Sequence, residues 1–255
     1  MKNKKFIVDA KREDKERRGD FVSVVLLSEN YGYRMKSYGP MSLLKIDKSS
    51  LIEQQIKIIK SFFINYEVIV CCGFEAKKTI DYLKSNFKNE NVRIIENQVY
   101  SNSNSCESAR LCLNNTMNHR ALILHGDLVI THSMLDQMDF NSNCVLVQDD
   151  NSFKNYSATA IEDKGELKNM CVGGKSNFWA DCLYLHDEES ITKFSHIINN
   201  IEYKNKFLFE AINELLRSTR ISVCKNKGQS IFKVNNIKSL KEYIRNENFD
   251  TKLYK

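Results

Sequence analysis

Phe21-Val22-Ser23-Val24-Val25-Leu26-Leu27, then Ser28-Glu29-Asn30-Tyr31-Gly32-Tyr33-Arg34-Met35, then Pro40-Met41-Ser42-Leu43-Leu44 is the stretch that decides the fold. The first run is apolar but for Ser23 and rich in valine, so it reads as a buried strand. The loop that leaves it carries a glycine and an arginine. Backbone N–H groups and a guanidinium both face an anion in such a place, which makes the loop a candidate phosphate cradle. Cradles of this kind ordinarily hold more glycine and a lysine, and Met41 stands where that lysine is sought.

Downstream of this loop, strands and helices alternate. Leu51–Ile59 has apolar residues at helical spacing, with Ser50 as its N-cap. Val68–Cys72 is a second strand ended by Gly73, Lys77–Phe87 a helix and Val92–Ile95 a third strand. Ser105–Met117 reads as a helix, Ala121–Leu124 as a strand, Ser133–Met138 as a short helix and Cys144–Val147 as a strand. Beyond Phe153 the pattern loosens: strands are expected over Ser157–Glu162, Leu167–Cys171, Asn177–Tyr184, Ile221–Cys224 and Ile231–Val234. Helices are expected over Ile191–Ile198, Phe207–Leu216 and Ile237–Arg245. The alternation implies an α/β fold, a mostly parallel central sheet with helices on both faces, in which ligands bind at the carboxyl ends of the strands.

Composition narrows the class. A chain of 255 residues, 42% hydrophobic with one proline and nine glycines, has material for a packed core and none of the marks of a fibrous or low-complexity protein. Residues 1–20 form a charged N-terminal extension without the apolar segment of a secretory signal, and residues 21–250 read as a single domain. No apolar run approaches the length of a membrane span. The eight cysteines include no CxxC pair, so buried free thiols in a reducing, cytoplasmic setting are expected and a zinc site is not. The net charge of +6 suits an anionic small molecule. There is no basic stripe interleaved with aromatics, so neither nucleic acid nor membrane is expected as a partner. Homodimerisation stays open.

Three constellations fall just past apolar runs. In His125-Gly126-Asp127 the aspartate is placed to hold a divalent ion, or equally to serve as a turn or cap residue, while His125 reads more readily as a packed side chain. Asn97-Gln98-Val99-Tyr100-Ser101-Asn102-Ser103-Asn104-Ser105-Cys106-Glu107-Ser108 supplies donors and acceptors with little charge, suited to a base or ribose. Ser105 is the expected helix cap there. Lys233-Val234-Asn235-Asn236-Ile237-Lys238-Ser239-Leu240 places a polar pair between a short strand and a helix.

Together and in this order, these segments resemble the nucleoside-triphosphate transferase superfamily with the glycosyltransferase-A-like fold, nearest to the CTP:phosphocholine-type cytidylyltransferases. That family's Leu-Ala-Ala-Gly-x-Gly-x-Arg-Met and Pro-Lys-x-Leu-Leu are matched by Leu27–Met35 and Pro40–Leu44. Its asparagine–tyrosine loop is matched at Asn97, Tyr100, Asn104 and Ser108, its Gly-Asp by Gly126-Asp127, its late Glu-Ala by Glu210-Ala211, and its closing motif by Lys233–Leu240.

The resemblance implies transfer of a nucleotidyl group, CMP from CTP foremost, to a phosphorylated small molecule with loss of pyrophosphate. The acceptor would be an amino-alcohol, amino-acid or sugar phosphate. The nucleophile is then a phosphate oxygen already ionised near neutrality, since its second pKa is about 6, and Mg2+ and cationic side chains supply alignment and charge. Residue by residue, it implies Arg34 at the triphosphate and Gly32 and Ser28 beside it, Asn104 and Ser108 at the base or ribose, and Asp127 and Asn235 on the metal. Lys36, Tyr100, Lys175 and Glu210 would lie toward the acceptor.

Three departures matter: Ser28-Glu29-Asn30 replaces Ala-Ala-Gly, Met41 replaces the cradle lysine, and Asn235 replaces a metal aspartate. Lys36, Lys45 and Lys175 are candidates for the missing charge. The alternatives are a nucleotidyltransferase-like binding protein without turnover and, last, a small glycosyltransferase of the same fold. The latter ordinarily wants an Asp-x-Asp that neither Asp149-Asp150 nor Asp127-Leu128-Val129 supplies.

Overall fold

The first strand, β1 (Val22–Ser28), is buried along its whole length because it has neighbours on both edges and helices on both faces. Val22, Val24 and Leu26 enter one core, with α1 (Leu51–Phe62), α2 (Ala76–Asn86) and α4 (His132–Asp136). Val25 and Leu27 enter the other, with α3 (Ser105–Leu113), α5 (Glu188–Asn199) and α6 (Leu208–Leu215). This is the period-2 alternation of a strand sandwiched between two helical layers. The computed structural model describes residues 20–46, 48–117, 119–149, 157–227 and 231–252, with side chains as far as Arg245. The expected N-terminal extension therefore lies outside the described residues, apart from Asp20.

The sheet has nine strands. Besides β1 they are β2 (Tyr66–Cys72), β3 (Val92–Glu96), β4 (Ala121–His125), β6 (Cys144–Gln148), β7 (Ala158–Asp163), β8 (Glu166–Val172), β9 (Phe178–Leu185) and β10 (Ser222–Lys225), in the order β3-β2-β1-β4-β9-β6-β10-β8-β7. The block β3-β2-β1-β4 is parallel, as is β6–β10. Between them β9 runs antiparallel to both β4 and β6. That inversion matters for the site: the first residues of β9 lie where β4 and β6 end. A separate pair, β5 (Leu128–Val129) with β11 (Phe232–Lys233), folds the end of the chain over the same mouth, and α7 (Ile237–Lys252) follows.

Helix ends follow from side-chain chemistry. Ser50 caps α1 by accepting from Glu53 N, as its sequence position suggests, and Thr131 and Asp187 do the same for α4 and α5. The expectation for α3 needs two corrections. Its cap is Asn104, whose Oδ1 accepts from Ser105 N at 2.9 Å, while Ser105 Oγ accepts from Leu208 N across to α6. The helix also stops at Leu113 rather than Met117, because Asn115 Nδ2 and Thr116 Oγ1 bond back to Leu111 O and Leu113 O and close the turn. All eight cysteines are free and six of them are buried. No helix among the described residues is long and apolar enough to cross a membrane.

Candidate active site

The mouth of the parallel block is built on a close approach of β1 and β4. Gly126 N donates to Leu27 O at 2.7 Å. A Cβ on Gly126 would lie 2.8 Å from both Leu27 O and Ser28 Cα, and 2.1 Å from Ser28 Oγ, so no side chain fits. The turn that follows is held from below by Gln55, a buried residue of α1. Its Nε2 donates to Gly126 O at 3.2 Å and Leu128 O at 2.7 Å, one on each side of Asp127. From above, Val234 N donates to Asp127 O at 2.8 Å. Asp127 thus sits on a turn fixed by three separate elements.

The antiparallel strand β9 brings a second carboxylate. Cys182 pairs with Leu124, which sets Asp181 beside His125 at the end of β4. Asp181 has φ 50°, a left-handed conformation inside a strand, next to a register shift against Val145 and Val147 of β6. Aspartate enters this region more readily than most residues, and here the bulge aims its side chain. The ligand atoms of His125, Asp127 and Asp181 all lie within 4.8 Å of one another. Lys233, opposite Leu128 on β11, pairs its ammonium with Asp181 and stands 4.0 Å from Asp127.

The polar atoms here are short of partners. Ser28 Oγ, Glu29 Oε2, His125 Nε2 and Asp127 Oδ1 are buried without a hydrogen bond. Buried Glu67, at the opposite end of the sheet, shows the contrast: it accepts from Ser23 Oγ, Met117 N and Arg93. Burying polar atoms unpaired is costly, so their clustering at one mouth marks a place made for a ligand. Two carboxylates and an imidazole are a donor set that fits a divalent cation, and the Lys233 ammonium drawn to the carboxylates shows that the place attracts positive charge.

Burial also sets the protonation of this mouth. Desolvation pulls the His125 imidazole down to about 4, helped by the Lys233 charge, so it is neutral near pH 7. Glu29 is 3% exposed, and desolvation pushes its carboxyl up to about 7 against opposing hydrogen bonds from its own backbone and from the Ser108 hydroxyl. A carboxyl raised from 4.5 to about 7 takes up a proton on folding. Its stabilising share is complete below 4.5 and is lost as pH climbs to about 7, at no more than about 1.4 kcal/mol per pH unit. His125 works oppositely, its share being lost as pH falls from 6.5 toward 4. Glu29→Gln should therefore be more stable than the parent at pH 8, with the difference shrinking toward pH 5. Denaturant midpoints across that range check this, and a constant difference would contradict it.

Around this mouth lie several of the residues singled out in the sequence. Ser28 ends β1 with its hydroxyl against Gly126. Ser108 is fully buried on α3 and takes a hydrogen bond from Asn97 Nδ2 at 3.0 Å. Gly32 lies where a Cβ would meet Asn235 O and Met35 Sδ at 2.8 Å, and Tyr33 N donates to Asn235 O, so the loop is stitched to the end of the chain. Arg34 is exposed at φ 58°, its guanidinium 5.1 Å above the Tyr33 ring. Lys36 is exposed in a short 3-10 turn. Tyr100 packs edge-on against Phe74.

Other candidates are engaged elsewhere. Asn104 Oδ1 is taken up by the α3 cap, and Asn235 Oδ1 accepts from Asn236 Nδ2 at 2.7 Å. Glu210 Oε2 accepts from Phe207 N at 2.8 Å and pairs with Lys206, closing the start of α6. Lys175 is exposed in the loop between β8 and β9. Met41 is 6% exposed, in an apolar cluster with Met35, Leu44, Ile46, Leu51, Val129 and Val234. The position that lacks a charge is therefore filled by packing beneath the loop.

Asp181, Lys233 and Gln55 escaped the sequence reading as site residues. For Asp181 a signal existed: one carboxylate inside Phe178-Trp179-Ala180-Asp181-Cys182-Leu183 has no reason to be in a buried strand unless it is used.

No protein-family model matches the chain, and no curated protein sequence matches it. Solved structures do match. A CTP:phosphocholine cytidylyltransferase from Streptococcus pneumoniae is similar with a TM-score of 0.74 at 17% identity, over 89% of this chain and 99% of that one. The inositol-1-phosphate CTP transferase of T. maritima gives 0.71 at 10% identity, over 89% and 98%. A UDP-glucose pyrophosphorylase complexed with UDP-glucose gives 0.71 at 14%, over 91% and 100%. At such identities the likeness is one of fold. The chain has the fold of the nucleotidyltransferases, with cytidylyltransferases among the similar structures.

Proposed function

We propose that this chain is a nucleotidyltransferase, a single domain over residues 21–250. It transfers CMP from CTP to a phosphorylated small molecule, an amino-alcohol, amino-acid or sugar phosphate, and releases pyrophosphate. The observation that carries this reading is the cluster of Asp127, Asp181 and Lys233 at the carboxyl end of β4, facing the Ser28–Arg34 loop, within this fold. The similar structures include enzymes that pair CTP with phosphocholine or inositol-1-phosphate, which supports both the donor and the type of acceptor.

In this reading Arg34 binds the triphosphate and Gly32 lets the backbone approach it. Ser28 and Ser108 hold the nucleoside and Lys36, Tyr100 and Lys175 face the acceptor, while Asn104 and Glu210, taken up by the α3 cap and the start of α6, serve the fold. Asp127 would hold the divalent metal ion, whereas Asn235 Oδ1 is already engaged with Asn236. When bound, the ion supplies positive charge to the phosphate oxygens. Lys233 adds positive charge at the same mouth, and burial makes such charges count for more than they would in water. No general base is needed, because the attacking phosphate is already ionised. The free thiols agree with a cytoplasmic setting.

The test is a pyrophosphate-release screen with each nucleoside triphosphate against a panel of phosphomonoesters. Release with CTP and at least one acceptor is expected, and silence across the panel contradicts the proposal. Burial of Met41 favours a second reading, nucleotide binding without turnover, because no cation stands at that position. Thermal stabilisation by CTP with no pyrophosphate would select it.

A further inference from the structure

Asp181 and His125 belong to none of the motifs that align with the nucleotide loop, yet both aim at the point that Asp127 faces. Asp181 is 6% exposed and sits at φ 50° within β9, beside the register shift against β6 that turns its side chain toward His125. His125 Nε2 and Asp127 Oδ1 are buried and unpartnered. A cation is already present between the carboxylates: the Lys233 ammonium, paired with Asp181 and 4.0 Å from Asp127.

We propose that His125, Asp127 and Asp181 form a three-ligand site for a first-row transition divalent cation of the Mn2+ type, and that the Lys233 ammonium is the resident counter-charge that the ion displaces. An imidazole with two carboxylates suits Mn2+, Co2+ or Zn2+. Mg2+ prefers oxygen in a strict octahedron and gives up water reluctantly. The backbone of Lys233 is fixed by the β5–β11 pairing, whereas its stem is long and flexible. Once displaced, the ammonium stays at the mouth of the sheet and faces the incoming phosphates, which restores the charge that Met41 does not carry. The use of this site in catalysis rests on the nucleotidyl-transfer reading, while the ion site itself stands on its own geometry.

The test titrates the full-length, chelator-treated protein with MnCl2 in the absence of nucleotide. Free Mn2+ is followed by its electron paramagnetic resonance signal, with MgCl2 as competitor. A single Mn2+ site that Mg2+ displaces only weakly is expected. Asp181→Asn should weaken Mn2+ binding by at least about tenfold. Asparagine accepts the left-handed backbone, so this variant keeps the strand intact. Lys233→Met should tighten Mn2+ binding, a gain that misfolding cannot produce. Binding unchanged in Asp181→Asn, weakened in Lys233→Met, or equalled by Mg2+ would overturn the proposal. Pyrophosphate release measured on the same samples separates the two readings. Mn2+ bound at these residues without turnover contradicts nucleotidyl transfer and keeps the ion site. Turnover with Mn2+ binding indifferent to Asp181 does the reverse.

Discussion

Asp127→Asn should lower kcat for pyrophosphate release by about two to three decades, the usual cost of removing one charged group from a preorganised phosphoryl-type site. The substitution is isosteric, and the backbone on which it rides is held independently of the side chain by Gln55, Val234 and the Gly126 contact with β1. Lys233 keeps its pairing with Asp181. The thermal midpoint should therefore stay close to that of the parent while turnover collapses. Steady-state kinetics beside a melting curve separate the two quantities. Loss of stability in step with activity would mean that Asp127 is a structural turn residue, the bland alternative its sequence position allows.

Gly126→Ala should do the opposite and act first on the fold. The added methyl would overlap Leu27 O and Ser28 Cα, both at 2.8 Å, and these are backbone atoms in a strand buried along its whole length. Ser28 Oγ can rotate away, but β1 cannot move without dragging its pairings to β2 and β4. Overpacking of this kind costs about 2–3 kcal/mol, which for a chain of this size lowers the melting midpoint by roughly 5–10 °C. The same displacement shifts Asp127 against Asp181, so the residual folded protein should also turn over slowly. A calorimetric midpoint within a degree of the parent would show that the approach of β1 to β4 is not as tight as described.

The parallel half of the molecule was legible because its signals are local. Apolar runs of strand length, helical spacing in Leu51–Ile59 and cap residues such as Ser50 each report on their own segment, and alternation of the two types implies the layered sheet. The Gly126-Asp127 turn was visible for the same reason. What stayed hidden depends on which strands become neighbours. Nothing in Phe178–Leu185 announces that β9 runs antiparallel between β4 and β6, and that inversion is what delivers Asp181 to His125. Lys233 reaches the carboxylates only through the two-residue pairing of β11 with β5, too short to leave a pattern. Met41 was legible as a missing charge. Its packing against Met35, Leu44 and Val234 was not, since that cluster gathers three distant segments.

Nucleotidyl transfer is followed at the α-phosphorus itself. The protein is incubated with [α-32P]CTP, a divalent ion and the phosphomonoester that gives release in the screen, and the products are separated. Nucleotidyl transfer predicts label in a CDP-linked product, formed in step with unlabelled pyrophosphate and lost in Asp127→Asn. Label that stays in CTP, or emerges as CMP or CDP with no linked product, would contradict nucleotidyl transfer.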